Sequence, residues 1–222
     1  PKVANMQKEA EFACNIFAAL KHGSSTEIPH QTIHPVEQLF PSGVLTELSG
    51  GPGSGKSQIL YTLVLPHLNR RQHVVYFDLD YHFDLFRLAQ ILDRNGSDVR
   101  NALKYLTLYK CPSLEAFLST LATMEDHFLV NRTTLLVVDS ISAFYWHDRL
   151  QLRDITARYN DVTSRLKDLT SRFRVTCVAS RRSGLGRQSG VQIDVDSDGT
   201  RCVTALFVRR AFSVTKEGVK LM

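Results

Sequence analysis

Eight residues, Gly50-Gly51-Pro52-Gly53-Ser54-Gly55-Lys56-Ser57, constrain the fold of this chain more tightly than any other segment. They match G-x-x-x-x-G-K-[ST] at every fixed position. Val44, Leu45 and Leu48 before them predict a short strand, and Gln58 to Asn69 after them predict a helix. A strand that turns through glycines into a helix aims several backbone N–H groups at one point, where the helix dipole also favours an anion. The segment therefore reads as a phosphate cradle. In such a cradle Lys56 reaches the β and γ phosphates of a nucleotide, and the Ser57 hydroxyl ligates Mg2+.

The residues on either side fit that reading. Apolar runs at 73–79, 105–108, 133–139 and 174–179 predict strands. Between them the helical spacing predicts helices at about 84–94, 113–130 and 150–173. Strands that are apolar throughout and alternate with helices indicate an α/β fold with a mostly parallel central sheet flanked by helices. The strand Leu135-Leu136-Val137-Val138 ends on Asp139, an acid whose fixed position suits the hydration shell of Mg2+. Two further strands, 201–208 and 211–216, are expected to form a C-terminal β-hairpin extension turning at Arg209 and Arg210. Residues 181–200, rich in Ser, Gly, Arg and Asp, read as a loop. At the other end, Val3 to Leu20 predict an amphipathic helix followed by a polar connector, so residues 1–40 stand apart from a core at 41–222.

Composition narrows the class. The 222 residues are 43% apolar and 22% charged, enough to build one core without disulfide or metal staples. Cys14, Cys111, Cys177 and Cys202 are too widely spaced for a C-x-x-C site and read as buried thiols of a reducing compartment. No apolar run approaches the roughly 18 to 20 residues of a membrane span. Charge is uneven: residues 1–148 carry 12 Lys and Arg against 15 Asp and Glu, and residues 149–222 carry 15 against 7. The basic end suggests a polyanion or an acidic partner, with a solvated basic face as the alternative.

The phosphate loop, the string FDLDYHFDLFRL at 77–88, VVDSISAFYW at 137–146 and the basic glycine-containing loop after 174–179 together resemble the RecA-type recombinase ATPases over residues 40–216. Asp80-Tyr81-His82-Phe83-Asp84 and Ser142-Ala143-Phe144-Tyr145-Trp146 bring the resemblance closest to the eukaryotic recombinase paralogues. The resemblance implies a RecA-like P-loop NTPase core that binds ATP with Mg2+. It also implies a nuclear subunit of a hetero-oligomeric paralogue complex, which assists recombinase filaments on single-stranded or branched DNA in homologous-recombination repair.

Where the family places a water-activating glutamate stands Asp80, one methylene shorter. A displacement of about 1 Å at such a group costs on the order of a hundredfold in rate, so hydrolysis by this chain alone is expected to be weak or absent. Arg181 occupies the position of a glutamine that senses the γ-phosphate, and Arg87 that of an arginine over the adenine. Arg181, Arg182 and Arg187 fall where the family carries a DNA-facing loop, although Asp194, Asp196 and Asp198 follow closely. Phe12 and Phe17 lack an alanine three positions on, so no F-x-x-A docking motif is seen in the segment ahead of the core, and an end position in a paralogue chain is expected. Two alternatives stay open: a DNA-stimulated ATPase acting directly in strand exchange, and a binding module whose nucleotide is structural.

Overall fold

The computed structural model describes residues 36–145, 155–182, 191–196, 202–205 and 208–221. The expected N-terminal helix, Trp146 and Arg187 lie outside these residues. In chain order the structure runs β1 (Leu45–Gly50), α1 (Lys56–Asn69), β2 (Val74–Asp78), α2 (Leu85–Arg94), α3 (Val99–Ala102) and β3 (Leu106–Tyr109). It continues with α4 (Leu114–Ala122), α5 (Met124–Asn131), β4 (Leu135–Asp139), α6 (Ile155–Phe173) and β5 (Thr176–Arg182). Four strands close it: β6 (Val191–Asp196), β7 (Cys202–Ala205), β8 (Val208–Thr215) and β9 (Gly218–Leu221). The strands form one sheet in the order β3-β2-β4-β5-β1-β6-β7-β8-β9. Pairing is parallel from β3 through β6 and antiparallel from β6 to β9.

Alternation along the central strands feeds two cores. Leu48, Val74, Tyr76, Leu135, Val137 and Val178 pack with α1 and α2 on one face. Leu45, Val75, Phe77, Leu136, Val138 and Cys177 pack with α4, α5 and α6 on the other. Because β2 and β4 are covered on both faces, every position but the last of β4 is buried, which is why these strands are legible as unbroken apolar runs. Helix α1 is buried without interruption from Ile59 to Leu68, flanked by the sheet, α2 and the β8–β9 hairpin.

Four features depart from expectation. The helix expected over 113–130 is two: α4 starts on the Ser113 cap, whose Oγ accepts from the Ala116 N–H at 3.2 Å, and ends at Thr123, whose hydroxyl donates to the Thr120 carbonyl. The break still leaves Phe117, Leu121, Met124 and Phe128 in one core. The strand expected over 174–179 runs to Arg182, and Arg174 precedes it with a φ of 51°. Strand β6 lies inside the segment read as loop, and pairs in parallel with β1 from Thr46↔Val191 to Gly50↔Val195. Finally, Arg209 and Arg210 are not at a turn. They lie within β8, opposite Thr204 and Val203. Arginine carries none of the backbone chemistry that makes turns. The tight turn falls instead between Thr215 and Gly218, where Gly218 has a φ of 122° and the Thr215 hydroxyl accepts the Glu217 N–H at 3.2 Å. Among the described residues no helix is long and apolar enough to cross a membrane.

Candidate functional site

The site lies at the carboxyl ends of β1, β2, β4 and β5. Strand β1 leads through α1 to β2, but β4 and β5 separate the two in the sheet. A crevice opens at such a crossover, and loops from several strands converge on it. Residues 50–55 form the first of those loops. Gly53 and Gly55 have φ of 72° and 105°, a region that disfavours side chains. A Cβ on Gly50 would stand 2.6 Å from the Val195 carbonyl oxygen and 2.7 Å from the Ser54 Oγ, so β6 closes one wall of the loop and requires glycine there. Ser54 is buried and Gly51 half-buried, while Pro52 and Gly53 are exposed. The first turn of α1 begins with the Ile59 N–H on the Gly55 carbonyl at 3.1 Å. Gly53, Gly55, Lys56, Ser57, Gln58 and Val214 line a cavity of about 290 Å³.

Inside the loop the Lys56 ammonium donates to the Gly50 and Gly51 carbonyls at 2.9 and 2.8 Å. Burial lowers its pKa; the charges of Asp139 and Asp80 oppose that shift, and Arg182 adds to it. The Ser57 hydroxyl donates to Asp139 Oδ2 at 3.1 Å. Tyr76, whose phenol is held protonated by complete burial, donates to the same oxygen at 2.9 Å, and the Ser180 hydroxyl donates to Oδ1. The Asp139 carboxylate is thus fixed beside Ser57.

A second chain of hydrogen bonds holds Asp80. Ser140 Oγ donates to Asp80 Oδ2 at 2.8 Å and lies 3.0 Å from Ser142 Oγ, which accepts the backbone N–H of Arg182 at 3.1 Å. Asp78, buried at the end of β2, accepts the His82 N–H at 2.9 Å, and its pKa is raised chiefly by burial. Arg87 directs its guanidinium to Gln58 Oε1 (3.0 Å) and to the Thr215 and Lys216 carbonyls (2.6 and 3.2 Å), tying α2 to α1 and the hairpin beside the cavity.

Arg181 requires a correction. Its guanidinium Nη1 lies 2.8 Å from Glu47 Oε2, and the two side chains are 6% and 1% exposed. Alternation explains this: Ser180 faces Asp139 and the phosphate loop, so the next residue of β5 faces the α6 side of the sheet. Buried there against Glu47, Arg181 does not face the phosphate loop. Arg182 returns to the loop side and is exposed, opposite Gly50 in the sheet register.

Sequence reasoning missed Tyr76, Ser140, Ser142 and Ser180. Tyr76 was visible as a phenol in an otherwise apolar strand, but the serines carry no signal outside the register that brings them together.

The donor set fits a magnesium nucleotide. A phosphate oxygen matches the Lys56 ammonium better than the two carbonyls it now bonds. Among the described residues no group of three or more His, Cys, Asp or Glu could hold a metal by itself. One hydroxyl and one carboxylate suit Mg2+, which completes its shell with water and phosphate oxygens.

A parallel sheet in this strand order, with a glycine-lysine-serine loop after β1 and an acid ending β4, defines the RecA-like class of P-loop proteins. Within that class the Rad51 family model matches residues 35–204, and the chain belongs to the Rad51 family. It is 33% identical over 156 residues to the mouse (Mus musculus) DNA repair protein XRCC2, a match covering 64% of this chain and 56% of the relative. It is 30% identical over 110 residues to the DNA repair and recombination protein RadB of Methanococcus maripaludis, covering 50% and 47%. To the DNA repair protein RAD51 homolog 1 of Arabidopsis thaliana it is 33% identical over 132 residues, covering 55% and 38%. The chain spans about half the length of the curated relatives it matches, or less.

Proposed function

We propose that this protein binds ATP with Mg2+ at residues 50–57. On this reading it serves as a subunit of a recombinase-paralogue complex that assists filament assembly on single-stranded or branched DNA during homologous-recombination repair in the nucleus. The observation that carries the nucleotide reading is the meeting of Lys56, Ser57 and Asp139 at one end of α1. Backbone N–H groups of the loop and the Lys56 ammonium bind phosphate oxygens, while Ser57 and Asp139 hold the cation. Bound Mg2+ neutralises phosphate charge. Arg87 and Gln58 form the neighbouring wall on which a base would rest.

Slow or absent hydrolysis follows from Asp80. Its carboxylate is one methylene shorter than a glutamate and is tied to Ser140 by a hydrogen bond, which holds it back from an attacking water. The paralogue role is supported by the similarity to mouse XRCC2 and by the DYHFD and SAFYW strings, and the DNA role by the names its relatives carry.

Titration of the protein with a fluorescent ATP analogue in Mg2+ tests the nucleotide site. Lys56→Ala should weaken binding by about tenfold or more, the scale of a lost charge-assisted hydrogen bond. Equal affinity of the two proteins would remove Lys56 from the site. Steady-state turnover should stay near background with and without single-stranded DNA, and strong stimulation by DNA would favour direct action in strand exchange.

A further inference from the structure

We propose that the amino ends of β4 and β5 form a docking surface for an acidic peptide segment of a partner protein, one that sets an aliphatic or aromatic side chain among its carboxylates. A cavity of about 560 Å³ opens there, at the end of α1 remote from Lys56. Helix α1 has 14 residues and so spans about 21 Å, which makes this surface independent of the nucleotide reading. Its walls combine two chemistries. Phe128 and Leu129 from α5 and Phe173 from α6 supply apolar area. Phe128 is buried in the core, whereas Leu129 and its neighbour Val130 are 68% and 80% exposed, so α5 leaves aliphatic surface in water. Arg132 and Arg174 supply charge. They are the turn residues that carry α5 into β4 and α6 into β5, and because those strands are neighbours both arginines open onto the one cavity.

The use of the charges decides the sign of the partner. Two nearby arginines are already neutralised: Arg70 by Glu37 at 2.7 and 2.6 Å, and Arg172 by Glu125 at 2.5 and 3.0 Å. Arg132 and Arg174 are exposed, and among the described residues neither has a carboxylate within ion-pair distance. Nor does any described carboxylate line the cavity. Their φ of 50° and 51° belong to a region that favours glycine, a backbone cost that no ion pair among the described residues offsets. Planar guanidinium groups of this kind each grip a carboxylate through two hydrogen bonds. Phosphates of a nucleic acid would satisfy the arginines as well, but Leu129 and Val130 offer a base no flat face on which to stack. An acidic peptide with an apolar side chain matches both halves, and arginine beside aromatic area is the composition that carries most binding energy between proteins.

Panning a display library of short random peptides on the whole chain, with the affinities of recovered peptides measured by fluorescence anisotropy, tests this. Asp and Glu beside Leu, Ile or Phe should be enriched. Arg132→Gly combined with Arg174→Gly removes both guanidinium groups where the backbone already suits glycine, and should weaken those peptides by about tenfold or more. Leu129→Ser, at a side chain that solvent already reaches, should weaken them a fewfold with both arginines in place. The proposal is overturned if the library yields no binder or no acidic enrichment, or if acidic peptides bind either variant as tightly as the parent. A labelled single-stranded oligonucleotide that loses affinity on the double substitution, while no acidic peptide is recovered, would overturn it too and make this edge a nucleic-acid contact.

Discussion

The two faces of the sheet use polar side chains in opposite ways, and β5 shows both within two residues. On the α6 face, Glu47 and Arg181 form an ion pair sealed beneath a helix. On the α1 face, Lys56 and Ser57 at the start of α1 border an open cavity, and Ser57 meets Asp139 from the end of β4. Closed polar pairs of the first kind hold an architecture together. Groups of the second kind are held by neutral hydroxyls and carbonyls, three hydroxyls on Asp139 and two carbonyls on Lys56, rather than by an opposite charge at ion-pair distance. Position in sequence separates the two by one residue; the period-two alternation of a strand separates them by the thickness of the sheet.

The comparison breaks first if the Glu47–Arg181 pair proves dispensable. Arg181→Met should destabilise the fold by about 3–5 kcal/mol, because Glu47 would keep its charge in a buried place without a partner. Replacing both, Glu47→Leu with Arg181→Met, should recover most of that loss. Burial already raises the Glu47 pKa above its ordinary 4.5, with Arg181 opposing the shift, so removing the arginine raises it further. A carboxyl with a raised folded pKa favours folding below its unfolded value and loses that contribution as pH rises through the folded value. The deficit of Arg181→Met should therefore be small near pH 4.5 and grow above it. Urea denaturation across that range measures both effects; an Arg181→Met protein as stable as the parent at neutral pH would make the pair incidental.

A next, smaller effect concerns a closed network at the far end of α1. His67 is buried, lies 2.9 Å from Thr134 Oγ1 through Nδ1 and 3.7 Å from Glu37, and Glu37 accepts both ends of the Arg70 guanidinium at 2.7 and 2.6 Å. Burial pushes the His67 pKa down from 6.5 to about 4, with Glu37 pulling the other way. Since the folded pKa lies below the unfolded one, the unfolded chain takes up its proton first as the solution is acidified. Stability should then fall between about pH 6.5 and pH 4, by up to about 3 kcal/mol. Replacing His67 by Gln should flatten the stability profile over that window. A profile that keeps its slope would place the titration elsewhere.

How much of this was legible depends on how each feature is encoded. The phosphate loop and Asp139 were readable because their chemistry needs fixed residue types at fixed spacing. Strands β2 and β4 were readable because burial on both faces demands unbroken apolar runs. The fate of Arg181 was not, because it depends on the phase of β5, and phase is set by pairing with β1 and β4, far away in sequence. Strand β6 did carry a signal, the alternation Val191, Ile193, Val195, but the charged and glycine-rich residues around it masked so short a run. At the C-terminus the two arginines drew attention away from Gly218, which marks the real turn.

That glycine provides the smallest of the tests, and the one that joins the open face to its surroundings. Gly218 has a φ of 122°, and a Cβ added there would stand 2.7 Å from the Thr62 hydroxyl oxygen. The same oxygen accepts the Val219 N–H at 2.8 Å, while Val219 is buried against α1. Gly218→Ala thus combines an unfavourable backbone with the loss of a buried hydrogen bond, and about 1–3 kcal/mol of stability should go with it. The hairpin also presents the Thr215 and Lys216 carbonyls to Arg87, and Val214 to the cavity beside the phosphate loop. If the open face relies on the hairpin as a wall, nucleotide affinity should fall a fewfold together with stability. If affinity is unchanged while thermal unfolding shifts, the hairpin belongs to the closed architecture alone, and the boundary between the two kinds of polar surface runs along α1 rather than past it.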